Sequence, residues 1–100
     1  MDNQLSLSGK LIELDALRYT PAGIPVVNFR LSHDSEQIEA GVKRAVQCEL
    51  AGMAFEREAR LIAAARPGMQ LRVTGFLASK SRDSKQLVLH ATNIEFVEGV

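Results

Sequence analysis

From Asn3 to Leu14 the run LSLSGKLIEL sets Leu5, Leu7 and Leu11 against Ser6, Ser8 and Lys10, the period of two expected of a strand with one buried face. The apolar phase slips where Leu11 and Ile12 stand side by side, so a bulge or sharp bend is expected close to Gly9. The segment Arg18 to Pro25 holds two prolines and a glycine and reads as a loop of limited freedom. Val26 to Ser32 alternates again, with Val27, Phe29 and Leu31 inward and Val26, Asn28, Arg30 and Ser32 outward. The polar, acidic stretch DSEQIEAGV, Asp34 to Val42, reads as a mobile connection. A third strand follows over Lys43 to Ala51, with Val46, Cys48 and Leu50 inward and Lys43, Ala45, Gln47 and Glu49 outward, and Gly52 closes it.

The period then changes. In MAFEREARLIAAAR, Met53 to Arg66, Phe55, Ala59 and Ile62 fall at i, i+4 and i+7, which predicts one amphipathic helix of about three turns. Glu56 and Arg60 are ordered for an i, i+4 ion pair, and Pro67-Gly68 supplies the stop. Gln70 to Ser79 returns to alternation, with Leu71, Val73 and Leu77 on one face and Arg72, Thr74 and Phe76 on the other. A last strand over Leu87 to Val97 carries Leu87, Leu89 and Ala91, then switches phase to Ile94 and Phe96; a bulge is expected near Thr92 or Asn93. Phe29, Phe55 and Phe96 are assigned to the core, and Cys48, between Val46 and Leu50, to a buried apolar position.

Three strands, a helix and two strands, with glycine bends and no repeats, predict an all-β chain. That order matches the OB-fold, a five-stranded Greek-key barrel with one helix between the third and fourth strands. A chain of 100 residues, 46% of them hydrophobic, suffices for a single domain spanning residues 1–100. No apolar run approaches the twenty or so residues of a membrane span, and the N-terminus lacks a leader pattern, so a cytoplasmic protein is expected. One cysteine forms no internal disulfide.

Twelve basic residues balance twelve acidic ones, which removes net charge as an argument for a nucleic-acid partner. What remains is distribution. In an OB-fold the ligand-binding loops join strands one and two and strands four and five, here LRYTPAGIP and KSRDSK, both with cations. Lys80, Arg82 and Lys85 on the second loop are candidates for phosphate contact, or an ordinary solvated hairpin tip. Asn28 and Arg30 share one face, Lys43 and Gln47 the facing positions of the next strand, so pairing would set all four on one polar surface beside Arg18 and Tyr19. Tyr19 stacks on a base or packs on Pro21 or Pro25; Phe76 is a further stacking candidate, or caps the barrel or lies in a subunit contact. His33 and His90 are the only histidines, without HxH, HExxH or a Gly-rich phosphate loop, so metal or hydrolase chemistry has no motif and no cofactor is expected.

NQLSLSGKL, RYTPAGIPVVNFRLSH, GFLASKS and LVLHATNIE resemble the bacterial primosomal replication protein N (PriB) family, which is related to single-stranded-DNA-binding proteins. TPAGIP followed by NFRLSH is the most specific piece. The resemblance implies a non-enzymatic OB-fold homodimer that binds single-stranded DNA in restart of stalled replication forks, bridging the helicase PriA to the loading factor DnaT. It favours a DNA site of Arg18, Tyr19, Asn28, Arg30, Lys43, Gln47, Lys80, Arg82 and Lys85 forming one cationic track. One departure matters: the outward face of the third strand, where the resemblance implies stacking aromatics, is read as carrying Val42, Ala45 and Gln47, so base stacking there is expected to be weak or absent. An OB-fold adaptor for protein partners, with incidental DNA binding, is the rival reading.

Overall fold

In the computed structural model, which describes residues 1–97, six strands and one helix follow in the order β1 (Leu5–Leu14), β2 (Arg18–Tyr19), β3 (Pro25–Glu39), β4 (Val42–Phe55), α1 (Glu56–Ala63), β5 (Gln70–Ser79) and β6 (Leu87–Phe96). The sheet runs β1-β5-β6-β4-β3-β2, and an additional β1–β3 pairing closes it into a barrel with β2 flanking β3. The five long strands are the predicted ones, and the parallel β4–β6 contact completes the OB-fold Greek key.

Closure depends on β1 serving two neighbours. Its first half pairs with β5, from Leu5↔Gly75 to Lys10↔Gln70, and its second half with β3, from Lys10↔Ser32 to Leu14↔Phe29. The strands change over near Gly9, where an added Cβ would lie 2.8 Å from the Ser32 carbonyl oxygen. The bulge lies three residues on: Leu11 faces Leu31 and Glu13 faces Arg30, leaving Ile12 unmatched. That extra residue turns Glu13 toward the outside. A second bulge falls where the pattern predicts it, since Thr74 faces Asn93 and Gly75 faces Ala91 with Thr92 between them. The Thr92 hydroxyl donates to the Thr74 carbonyl at 3.2 Å.

The core joins both sheet halves and the helix: Leu11, Val27, Phe29, Leu31, Ile62, Leu71, Val73 and Leu89 are each no more than 4% exposed. Ala59 and Ile62 of α1 enter this cluster, and the Glu56–Arg60 ion pair forms on the outer side at 3.7 Å. The helix is shorter than the sequence predicts. Met53 and Ala54 stay extended because their backbone groups are taken by both β3 and β6, with Ala54 opposite Val27 and Ala91, and Phe55 pairs with Val26 of β3. Sheet pairing overrides helical spacing there. Nor does Gly52 end its strand: it leaves room for the Phe29 ring, whose atoms lie 2.3 Å from where a Cβ would stand.

The predicted mobile connection is not a loop. β3 and β4 pair without a break from Val26↔Phe55 to Glu39↔Val42, and Ala40 and Gly41, with φ of 52° and 77°, turn the chain as two left-handed residues of a tight hairpin do. Residues 33–48 therefore form a ribbon beyond the barrel. A radius of gyration of 14.4 Å, against about 13 Å for a compact chain of this length, fits that projection. At its base, Gln37 Nε2 donates to Ser35 Oγ at 3.0 Å. His33 contacts Ser35 Oγ through Nε2 at 2.8 Å and the Ser8 carbonyl through Nδ1 at 2.6 Å; a carbonyl only accepts, so Nδ1 carries a proton.

Five burial assignments change with this geometry. Cys48 is exposed because it pairs with His33 on the ribbon, where no second layer faces it. Val26 was expected outside but is 1% exposed; it lies between β2 and Phe55. Phe55 and Phe96 are 36% and 37% exposed, the first on the outer face and the second at the strand's end. Leu87, beside the β5–β6 loop, is 52% exposed.

Gly75 offers a direct test of the closure. A Cβ at this position would stand 1.8 Å from the His90 carbonyl oxygen, a backbone atom with nowhere to move. Gly75→Ala is expected to destabilise the fold by roughly 1–3 kcal/mol or more, a fall in Tm on the order of 10 °C; an unchanged melting curve would show that the β5–β6 bulge is slack.

Candidate nucleic-acid interface

A groove of about 750 Å³ crosses the outside of the barrel between the end of β1 with β2 and the β5–β6 loop. Its floor is built by register. Opposed residues of an antiparallel pair share a face, so Asn28 with Met53 and Arg30 with Ala51 point outward, while Phe29 and Leu31 between them fill the core. Glu13, Asp15 and Arg18 form one wall; Lys80, Gln86, Leu87, Val88 and His90 form the other. The β5–β6 loop is held in shape by Lys80 N–H to the Gln86 carbonyl at 2.9 Å and Ser84 N–H to the Ser81 carbonyl at 3.2 Å.

Four of the nine predicted residues meet in this groove: Arg18, Asn28, Arg30 and Lys80. Arg18 Nη1 donates to Asn28 Oδ1 at 3.1 Å, which aims the guanidinium along the floor. Arg82 and Lys85 are exposed on the adjoining loop but do not line the groove. Lys43 and Gln47 do share the face of Asn28 and Arg30, yet they stand on the ribbon; eight residues separate Lys43 from Ala51, about 26 Å at roughly 3.3 Å per residue. Val42 turns to the opposite face. Tyr19, opposite Pro25 while Arg18 is opposite Val26, also points away from the groove side and is 65% exposed.

The single cationic track expected from the sequence is divided. Arg30 lies between Glu13 at 3.8 Å and Glu49 at 3.9 Å, and Lys43 faces Glu36 at 3.6 Å. Among the described residues, Arg18, Lys80, Arg82 and Lys85 have no carboxylate at ion-pairing distance. The groove lining itself holds three cations, Arg18, Arg30 and Lys80, against three carboxylates, Glu13, Asp15 and Glu49. Those acids were missed as site residues. Glu49 was legible as an outward position, but Glu13 reaches Arg30 only because Ile12 bulges.

A closed five-stranded OB barrel with a groove between these two loops defines the architecture of single-strand-binding proteins, and the model of a family described as "Another single-strand binding protein family" matches residues 3–93. The chain belongs to the replication restart protein PriB family within that class. It is 40% identical to the replication restart protein PriB of Nitrosomonas europaea over 95% of this chain and 88% of that protein. Identity to the PriB of Bordetella pertussis is 37%, over 97% and 91% respectively. Among solved structures, PriB from Ralstonia solanacearum superposes with a TM-score of 0.88 at 35% identity, covering 98% of this chain and all of that one. The single-stranded DNA binding protein from Thermus aquaticus gives 0.78 at 25% identity, covering 98% of this chain and 51% of that one.

The Arg30 pairs are half-exposed, with side-chain accessibilities of 37% for Arg30, 69% for Glu13 and 59% for Glu49. Exposed pairs of this length contribute about 0–1 kcal/mol each. Arg30→Ala is therefore expected to leave stability within about 1 kcal/mol of the parent in urea unfolding; a loss of several kcal/mol would make the cluster a structural staple instead of a surface feature.

Proposed function

We propose that this chain is a non-enzymatic accessory protein of the primosome that binds single-stranded DNA and acts in restart of stalled replication forks. Membership of a family named for replication restart supports the setting. The observation that carries DNA binding is the groove between the two OB loops, with Arg18 and Lys80 on opposite walls, neither of them at ion-pairing distance from a carboxylate among the described residues, and Arg82 and Lys85 just beyond. Phosphates lying between those walls meet cations without displacing carboxylates. On this reading the chain works as a homodimer, which doubles the loops available to one strand through effective concentration. It bridges a PriA-type helicase to a DnaT-type loading factor on that strand, in the cytoplasm.

Affinity is modest by this account. Arg18, Lys80, Arg82 and Lys85, which have no carboxylate at ion-pairing distance among the described residues, correspond to a slope of log affinity against log salt of about −3 for a single strand. The carboxylates of the groove favour a second reading, an adaptor whose main ligand is a protein. Replacing Lys80, Arg82 and Lys85 together with alanine separates the two: the slope is expected to flatten by about 2, with oligonucleotide affinity down by tenfold or more while partner-protein binding persists. Retained DNA binding with lost partner binding would favour the adaptor.

A second experiment addresses the acids. Glu13→Gln with Glu49→Gln frees Arg30, and is expected to raise oligonucleotide affinity and steepen the salt slope by about 0.7, one further phosphate contact. No change would mean that the strand does not reach the centre of the floor.

A further inference from the structure

The outer face beside the groove carries three aromatic rings in a row. Phe76 stacks on His90 with centroids 5.0 Å apart and planes 11° from parallel, and Phe55 lies on the other side of His90 at 6.0 Å and 12°. They come from three adjacent strands, β5, β6 and β4: Phe76 is opposite His90, and Met53, two residues before Phe55, is opposite His90 on the other side. Phe55 is 36% exposed and Phe76 is 40% exposed; Phe96 is exposed as well, but these two alone among the phenylalanines stack on His90. Each end ring has one face against His90 and one turned away from it. His90 also lines the groove, so the row and the groove are one continuous surface.

We propose that Phe55 and Phe76 form a stacking site for the nucleobases of a single strand whose phosphates run along the groove. This rests on the reading of the groove as a single-stranded-DNA site. The distribution of charge assigns the occupant. One wall and the floor carry Glu13, Asp15 and Glu49 against Arg18 and Arg30, whereas the side formed by Met53, Leu87, Val88 and His90 carries no carboxylate and has Lys80 at its end. A polyanion that spans Arg18 and Lys80 meets no carboxylate on the β6 side, and the flat apolar groups it can turn toward that side are its bases. Every base has a π-face, so the contact tolerates any sequence. The site differs from the third-strand positions held by Ala45 and Gln47, which lie on the ribbon.

The test uses the full chain and its Phe55→Leu and Phe76→Leu variants, which keep an apolar side chain but lose the ring, alongside the alanine variants. A labelled oligothymidine and the same oligonucleotide with abasic sites are titrated at several salt concentrations, with oligomeric state followed by sedimentation. Loss of a ring is expected to weaken oligothymidine binding about 5- to 150-fold, leave the salt slope unchanged because no phosphate contact is lost, and have little effect on the abasic strand. Equal losses on both oligonucleotides, no loss on either, or a loss that tracks dissociation of a dimer each overturns the stacking site; the last makes the row a contact between copies. If the parent protein itself shows no salt-dependent binding to the oligothymidine, the groove reading fails and the stacking site falls with it.

Discussion

The ladder between β3 and β4 sets the core and the floor of the groove together. It runs unbroken from Val26↔Phe55 to Glu39↔Val42, and one alternation along it sends Val27, Phe29 and Leu31 into the core and Asn28 and Arg30 to the groove floor. Two features fix its register. Phe29 lies over Gly52, where no side chain could share the space, and at the far end Ala40 and Gly41 take the left-handed conformations that a two-residue turn requires. A slip of one residue would exchange a buried phenylalanine and leucine for an asparagine and an arginine, so core packing and groove chemistry are specified together.

Because the same ladder outruns the barrel, its outer segment has polar residues on both faces and no opposing layer. Its order comes instead from local pairs: Lys43 with Glu36, Arg44 with Glu39, and the chain of hydrogen bonds from Gln37 through Ser35 and His33 to the Ser8 carbonyl. The last of these ties the ribbon to β1 near the bend where that strand passes from β5 to β3. Ribbon and barrel closure therefore share an anchor. Individually such exposed pairs add little stability, so the ribbon is held by backbone pairing and turn geometry more than by its charges.

Much of this was legible beforehand. Period-two alternation located five strands, and the phase change in the last one located the Thr92 bulge, because a buried stripe cannot switch sides without an extra residue. The Glu56–Arg60 pair and the buried Ala59 and Ile62 followed from helical spacing. What failed shares one cause: composition stands in for environment only where a second layer is present. DSEQIEAGV reads as a loop because nothing in it is buried, yet backbone pairing alone made it a strand. Cys48 alternates with apolar neighbours and is still exposed, since it lies past the barrel rim. Phe55 fits a helical stripe, but competition from β3 and β6 for its segment keeps it extended and turns the ring outward. The charge pairing of Arg30 was hidden for a different reason, since it depends on a bulge in a strand that is remote in sequence.

A neutral chain that binds a polyanion must separate its charges locally, and here the separation is incomplete. Glu13 and Asp15 share a wall with Arg18, Glu49 stands on the floor beside Arg30, and the opposite wall carries Lys80 and no carboxylate. Electrostatic attraction over such a surface is weaker and shorter in range than over a basic strip, so a larger share of any affinity must come from contacts that salt does not screen. Stacked rings on β4, β6 and β5 supply that kind of contact, and they stand on paired strands whose spacing holds the rings parallel before any ligand arrives. Preorganisation of this sort lowers the entropy lost on binding. The aromatic row and the neutralised Arg30 then belong to one design, in which base contact offsets what the carboxylates take from phosphate contact.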